Sequence, residues 1–93
     1  MLDLKKYKSA VHKVKFEEGD VFIKRLSTQD STECDLVEET NARLCEMIAR
    51  SLCDSKGVSL GYSIDDVMEI DTDLSKALFY EIVEINKVKK KLD

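Results

Sequence analysis

Ala49-Arg50-Ser51-Leu52-Cys53-Asp54-Ser55-Lys56-Gly57-Val58-Ser59-Leu60, followed two residues later by Ser63-Ile64-Asp65-Asp66-Val67, decides how this chain folds. It reads as the end of a helix, a tight turn, a short extended link and the start of another helix. Gly57 suits the left-handed position just past a helix C-terminus. Ser63 to Asp66 has the spacing of a capping box, with Asp where Glu is usual, and opens a short helix over 63–69. The stretch holds helix joints and no set of residues spaced for catalysis.

Upstream, Ser27 and Thr28 are good N-caps, with Asp30 and Ser31 equally suited. A long helix over 28–53 follows. At ~100° per residue, Cys34, Val37, Leu44, Cys45, Ile48 and Leu52 share one arc. Leu36 and Met47 fall outside it. Either the helix is wedged between two others, or Met47 belongs to a partner surface, where an adaptable thioether is useful. Before this helix, Val14 and Phe16 alternate with lysines, Glu17-Glu18-Gly19-Asp20 supplies a turn, and Val21-Phe22-Ile23 follows. That is a hairpin over 13–26, preceded by a basic helical lead over 1–12. Such a hairpin needs helices or another subunit to pack on.

Downstream, Leu60 and Tyr62 cross back over the core. Asp71, Thr72 or Asp73 caps a C-terminal helix over 73–90. Leu74, Ala77, Leu78, Ile82, Ile85 and Val88 lie on one broad arc, and Phe79, Tyr80 and Val83 lie on roughly the opposite side. A small monomer has little means of burying both, and exposed apolar patches of a few hundred Å² mark association sites. The fold class expected is mainly α, a small helical domain with a short N-terminal β-hairpin. The candidate partner-binding residues are Leu36, Met47, Phe79, Tyr80 and Val83.

Composition agrees with a single small domain. The chain has 93 residues, 43% of them hydrophobic and 37% charged, with no proline or tryptophan. A chain this short hides only ~60–65% of the surface its unfolded form exposes, and cores of this size often gain stability by self-association. A homo-oligomer is expected. No apolar run reaches the ~18 residues that span a bilayer, and the N-terminus lacks the apolar core of a secretory signal. No membrane partner and an intracellular location follow as expectations.

The net charge of −4 conceals a polarity. Residues 16–86 carry six basic and seventeen acidic residues, while both ends are lysine-rich. An acidic body repels nucleic acid and attracts basic partners. The basic ends lack the interleaved aromatic residues that stack on bases, so nucleic acid is not expected as a partner.

Three cysteines make no closed disulfide framework. On one helix Cys34 and Cys45 would stand ~16 Å apart, and all three thiols are read as buried and free. His12, the single histidine, reads as a surface residue in a lysine-rich segment, although a Cys53–His12 pair stays open at this level. Asp65, Asp66, Glu69, Asp71 and Asp73 lack the glycine and terminal glutamate of a calcium loop. No Walker loop, dinucleotide fingerprint or nucleophile elbow is present. The expectation is no enzyme, no cofactor and no metal.

In order, the chain offers a basic lead and a hairpin ending Val21-Phe22-Ile23-Lys24-Arg25-Leu26-Ser27. A helix with Ala42-Arg43-Leu44 and Ser51-Leu52-Cys53-Asp54 follows, then the turn Ser55-Lys56-Gly57 and Tyr62-Ser63-Ile64-Asp65-Asp66-Val67. The last helix finishes Ile82-Val83-Glu84-Ile85-Asn86. Over about residues 10–86 this resembles the tail assembly chaperones of long-tailed bacteriophages and prophages. The resemblance implies a helical, oligomeric protein of the host bacterial cytoplasm that coats the tape measure protein. It also implies that the protein helps recruit tail tube protein and is absent from the finished virion. Members of that family are often made in two lengths by ribosomal frameshifting, and consecutive lysine codons at Lys89-Lys90-Lys91 suit a slippery run. A small acidic phage regulator or inhibitor, or a permanent tail component, are the rival expectations.

Overall fold

The computed structural model describes residues 10–87. The N-terminal lead before Ala10, Val88 and the lysine run after it lie outside the described residues.

Strands β1 (Val11–Phe16) and β2 (Gly19–Lys24) pair as an antiparallel hairpin across Glu17-Glu18, with Val14 opposite Val21 and His12 opposite Ile23. Side chains alternate across a strand, so Val14, Phe16, Val21 and Ile23 face the helices. Lys13 and Lys15 are exposed, and Lys13 pairs with Asp20 across the hairpin.

Helix α1 (Thr28–Asp35) starts at a reciprocal capping box. The Asp30 amide donates to Ser27 Oγ (3.0 Å) and the Ser27 amide to the Asp30 carboxylate (3.4 Å). Helix α2 (Thr40–Ser51) follows after a break at Leu36–Glu39. The Glu39 carboxylate causes that break, accepting from the amides of Asn41 (3.1 Å) and Ala42 (2.6 Å) as an N-cap. Arg43 donates back to the carbonyl of Val37 (2.9 Å), which fixes the connector. Two helices therefore replace the single one expected over 28–53.

The chain then turns extended. Strand β3 (Leu52–Cys53) pairs with β2, Cys53 opposite Phe22 and Leu52 opposite Ile23, completing a three-stranded antiparallel sheet in the order β1-β2-β3. The turn after it belongs to a second, small hairpin. The Asp54 amide donates to Val58 O (2.9 Å), the Leu60 amide to Leu52 O (3.2 Å), and Cys53 bridges Ser59. Gly57 does take a positive φ of 86°, but as the last residue of a three-residue β loop rather than as a helix terminator. A Cβ there would also come within 3.1 Å of Val11.

Helix α3 (Ile64–Met68) opens at the Ser63–Asp66 capping box foreseen from spacing. Helix α4 (Thr72–Asn86) opens at Asp71, whose carboxylate accepts from the amides of Asp73 and Leu74. The core joins β2, α2, β3, α3 and α4: Ile23, Ile48, Ala49, Leu52, Val67, Leu78 and Ile82 are all buried. Asn86 ties the end of α4 to the β2–α1 connector, accepting from the Leu26 amide (2.9 Å) and donating to Ile82 O (2.7 Å).

The class is thus α+β, not mainly α. The third strand overturns the expectation, because pairing with the exposed edge of β2 satisfies the Leu52 and Cys53 backbone while their side chains are buried. The three cysteines sit on three elements, α1, α2 and β3. Leu60 and Tyr62 stay exposed rather than crossing the core. His12 is half-buried in β1 with its Nε2 out of solvent, neither in a helical lead nor on the surface.

Candidate docking groove

An open groove of about 760 Å³ runs between α2, α3 and α4. One stripe of α2 forms a wall with Asn41, Leu44, Cys45 and Ile48, at the three- and four-residue steps that align side chains on a helix face. Thr72, Ser75, Lys76, Phe79, Tyr80, Val83 and Glu84 do the same along α4, with Lys87 just past its end. Val67, Met68 and Ile70 close one end. From Thr72 to Lys87 this wall spans fifteen residue steps, ~22 Å at the helical rise.

The groove brings together three of the five residues singled out from sequence. Tyr80 is the most open of them, at 64% exposed. Phe79 straddles two environments, lining the groove while packing on the core cluster, so it is not on a separate outer face. Val83 is half-buried and shared with a neighbouring depression of about 500 Å³, where Met47 lies among Ser27, Thr28, Ser31, Thr32 and Asp35. Leu36, 76% exposed at the end of α1, lines neither.

Sequence reasoning missed Met68, 53% exposed, and Ile70. Both interrupt an acidic run, and an apolar residue every second position there was the available signal. Leu44 and Cys45 belong to the arc expected to face the core. Cys45 packs against the core cluster and lines the groove as well.

Behind the groove, α1 is fastened to α2 by charge. The Arg50 guanidinium meets Asp30 (3.0 Å), Glu46 (2.8 Å) and Glu33. Its hydrogen bond to Glu46, followed by those to Asp30 and Glu33, outweighs the cost of partial burial and holds it charged at any ordinary pH. Burial pushes the Asp30 carboxyl up, but hydrogen bonds from Arg50 and Ser27 outweigh it and leave the group below its usual 3.8.

Burial raises all three thiols, Cys34, Cys45 and Cys53, above the ordinary cysteine range. The thiolate, the nucleophilic and metal-binding form, is therefore suppressed in each. Among the described residues, no three His, Cys, Asp or Glu side chains cluster to hold a metal ion. No helix among them is long and apolar enough to cross a membrane. The arrangement can cover an apolar stripe on another molecule.

No protein-family model, curated protein or solved structure matches this chain.

Proposed function

We propose that this chain is a protein-binding module that takes an amphipathic helix of another polypeptide into the α2–α3–α4 groove. The observation that carries the reading is the groove's apolar lining, Leu44 and Ile48 from α2, Met68 from α3 and Phe79, Tyr80 and Val83 from α4, set in a groove that follows α4 for ~22 Å. That length suits about four turns of a docked helix, and helix-in-groove recognition uses such a set of spaced apolar anchors.

From the order of elements that resembles tail assembly chaperones, the client is the tape measure protein. The chain would keep that client soluble in the host cytoplasm and help recruit tail tube protein around it. Self-association belongs to the same proposal: Leu36, and the exposed row Val58, Leu60 and Tyr62, lie outside the groove and leave surface for a second copy.

Co-expression with the proposed client, a tape measure protein, tests the reading. Tyr80→Ser and Val83→Ser together remove groove contacts while Leu78 and Ile82 keep the core intact. The expected result is a client that shifts from the soluble to the pelleted fraction. Unchanged client solubility, with the variant folded by circular dichroism, overturns the groove assignment. Phe79→Ser is a poorer probe because Phe79 also supports the core.

A further inference from the structure

The groove is electrically lopsided. At its α3–α4 end the lining residues Met68, Ile70 and Thr72 alternate in the chain with acidic neighbours: Asp65, Asp66, Glu69, Asp71 and Asp73 are all exposed there, beside the lining rather than part of it. No lysine or arginine occurs from Gly57 to Ser75 to offset them. Asp66 and Asp71 serve as helix caps. The carboxylates of Asp65, Glu69 and Asp73 make no hydrogen bond or ion pair with any described residue. At the other end Lys87 and Glu84 both line the groove and pair at 2.9 Å, so that end carries no acidic excess, and Arg25 reaches the Lys87 carbonyl (3.2 Å). Lys76 stands between.

Resting on the groove reading above, we infer that the groove selects and orients its client by charge. The occupant is an amphipathic helix with lysines or arginines clustered at one end of its apolar stripe. That cationic end lies against Asp65, Glu69 and Asp73, and its uncharged or acidic end lies beside Lys87. Charge pairs at a groove rim act mainly on partner choice, register and encounter rate, and they weaken with salt. The apolar stripe supplies the hold, and the acids decide which way round it sits.

Two synthetic fifteen-residue helices with the same apolar stripe test this, one carrying three lysines at one end and the other three glutamines. Fluorescence anisotropy at low salt should show the lysine peptide binding about tenfold more tightly, the scale expected of three exposed charge pairs. Moderate salt should erase the difference. The triple variant Asp65→Asn, Glu69→Gln and Asp73→Asn, which spares both caps, should erase it as well. A nitroxide on the lysine end should broaden the amide signals of Glu69–Asp73 and spare those of Val83–Lys87. Equal binding of the two peptides, or broadening at the Lys87 end, overturns the charge selection and leaves the groove standing. Failure of both peptides to bind the wild-type chain overturns the inference and the groove reading together.

Discussion

Helices α1 and α4 are held to the same domain by different physics. From α1, only Cys34 is buried; the rest of Thr28–Asp35 is polar, and its ties are the Ser27 cap and the Arg50 contacts to Asp30 and Glu33. From α4, Leu78 and Ile82 are buried outright, and Leu74, Phe79 and Ile85 pack around them. Apolar burial is non-directional and grows with area, at roughly 25 cal/mol per Å². A partly exposed ion pair is directional, is screened by salt and holds much less, about 1 kcal/mol or under. The groove is walled by the apolar-held helix and by α2, while α1 stands away from it. The surface proposed to carry binding therefore rests on the firmer half of the molecule.

The largest effect should come from cutting the firmer hold. Ile82 is fully buried, and Ile82→Ala should cost about 2–5 kcal/mol, transfer and cavity terms combined. Urea unfolding monitored by circular dichroism measures it. A loss under ~1 kcal/mol would mean that α4 is held by something other than its buried stripe.

Arg50→Met should cost less, about 2 kcal/mol, by leaving Asp30, Glu33 and Glu46 facing one another without a cation. Its loss should be local: amide exchange should quicken over Ser31–Asp35 before it does in α4. Acid should act on the same hold. Asp30 in the folded chain sits below its usual 3.8, so its contribution is complete above that pH and fades as pH falls through the lower folded value. The wild type should therefore loosen at α1 below about pH 4, and Arg50→Met should show a smaller acid-dependent change. Equal exchange in both helices, or an unaltered acid response, would end the distinction between the two holds.

The contrast also explains what could be read from sequence. The stripe of α4 was legible because buried side chains at helical spacing leave a periodic trace, and the groove residues Phe79, Tyr80 and Val83 followed from the leftover face. The boundary between α1 and α2 was not legible. Cys34 and Leu52 keep helical phase across it, and a glutamate rather than Ser, Thr, Asp or Asn supplies the cap at Glu39. Leu52-Cys53 was misread for a different reason. Two apolar residues after a helix continue its arc as well as they form a strand, and the edge of β2 that captures them lies some thirty residues away in the chain. Pairing at that distance leaves no local mark, so tertiary context decided it. Met68 and Ile70 were hidden by composition, since a run of carboxylates reads as solvated surface until α2 and α4 are placed beside it.

Ser51 stands where the two regimes meet, as the last residue of α2 before β3, one position from Arg50 and one from Leu52. It is fully buried, and its hydroxyl finds no hydrogen-bond partner among the described residues. A buried hydroxyl without a partner costs roughly 1–3 kcal/mol, whereas replacing it by hydrogen leaves a gap of a single oxygen and adds helix propensity. Ser51→Ala should therefore stabilise the chain by about 1 kcal/mol. The urea midpoint should rise with an unchanged slope, since a changed slope would mean a changed denatured state. The effect should be the same in wild-type and Arg50→Met backgrounds if Ser51 belongs to the apolar side of the joint. Destabilisation by 1 kcal/mol or more would show that the hydroxyl is engaged in the native chain, and non-additivity with Arg50→Met would place it in the charged network instead.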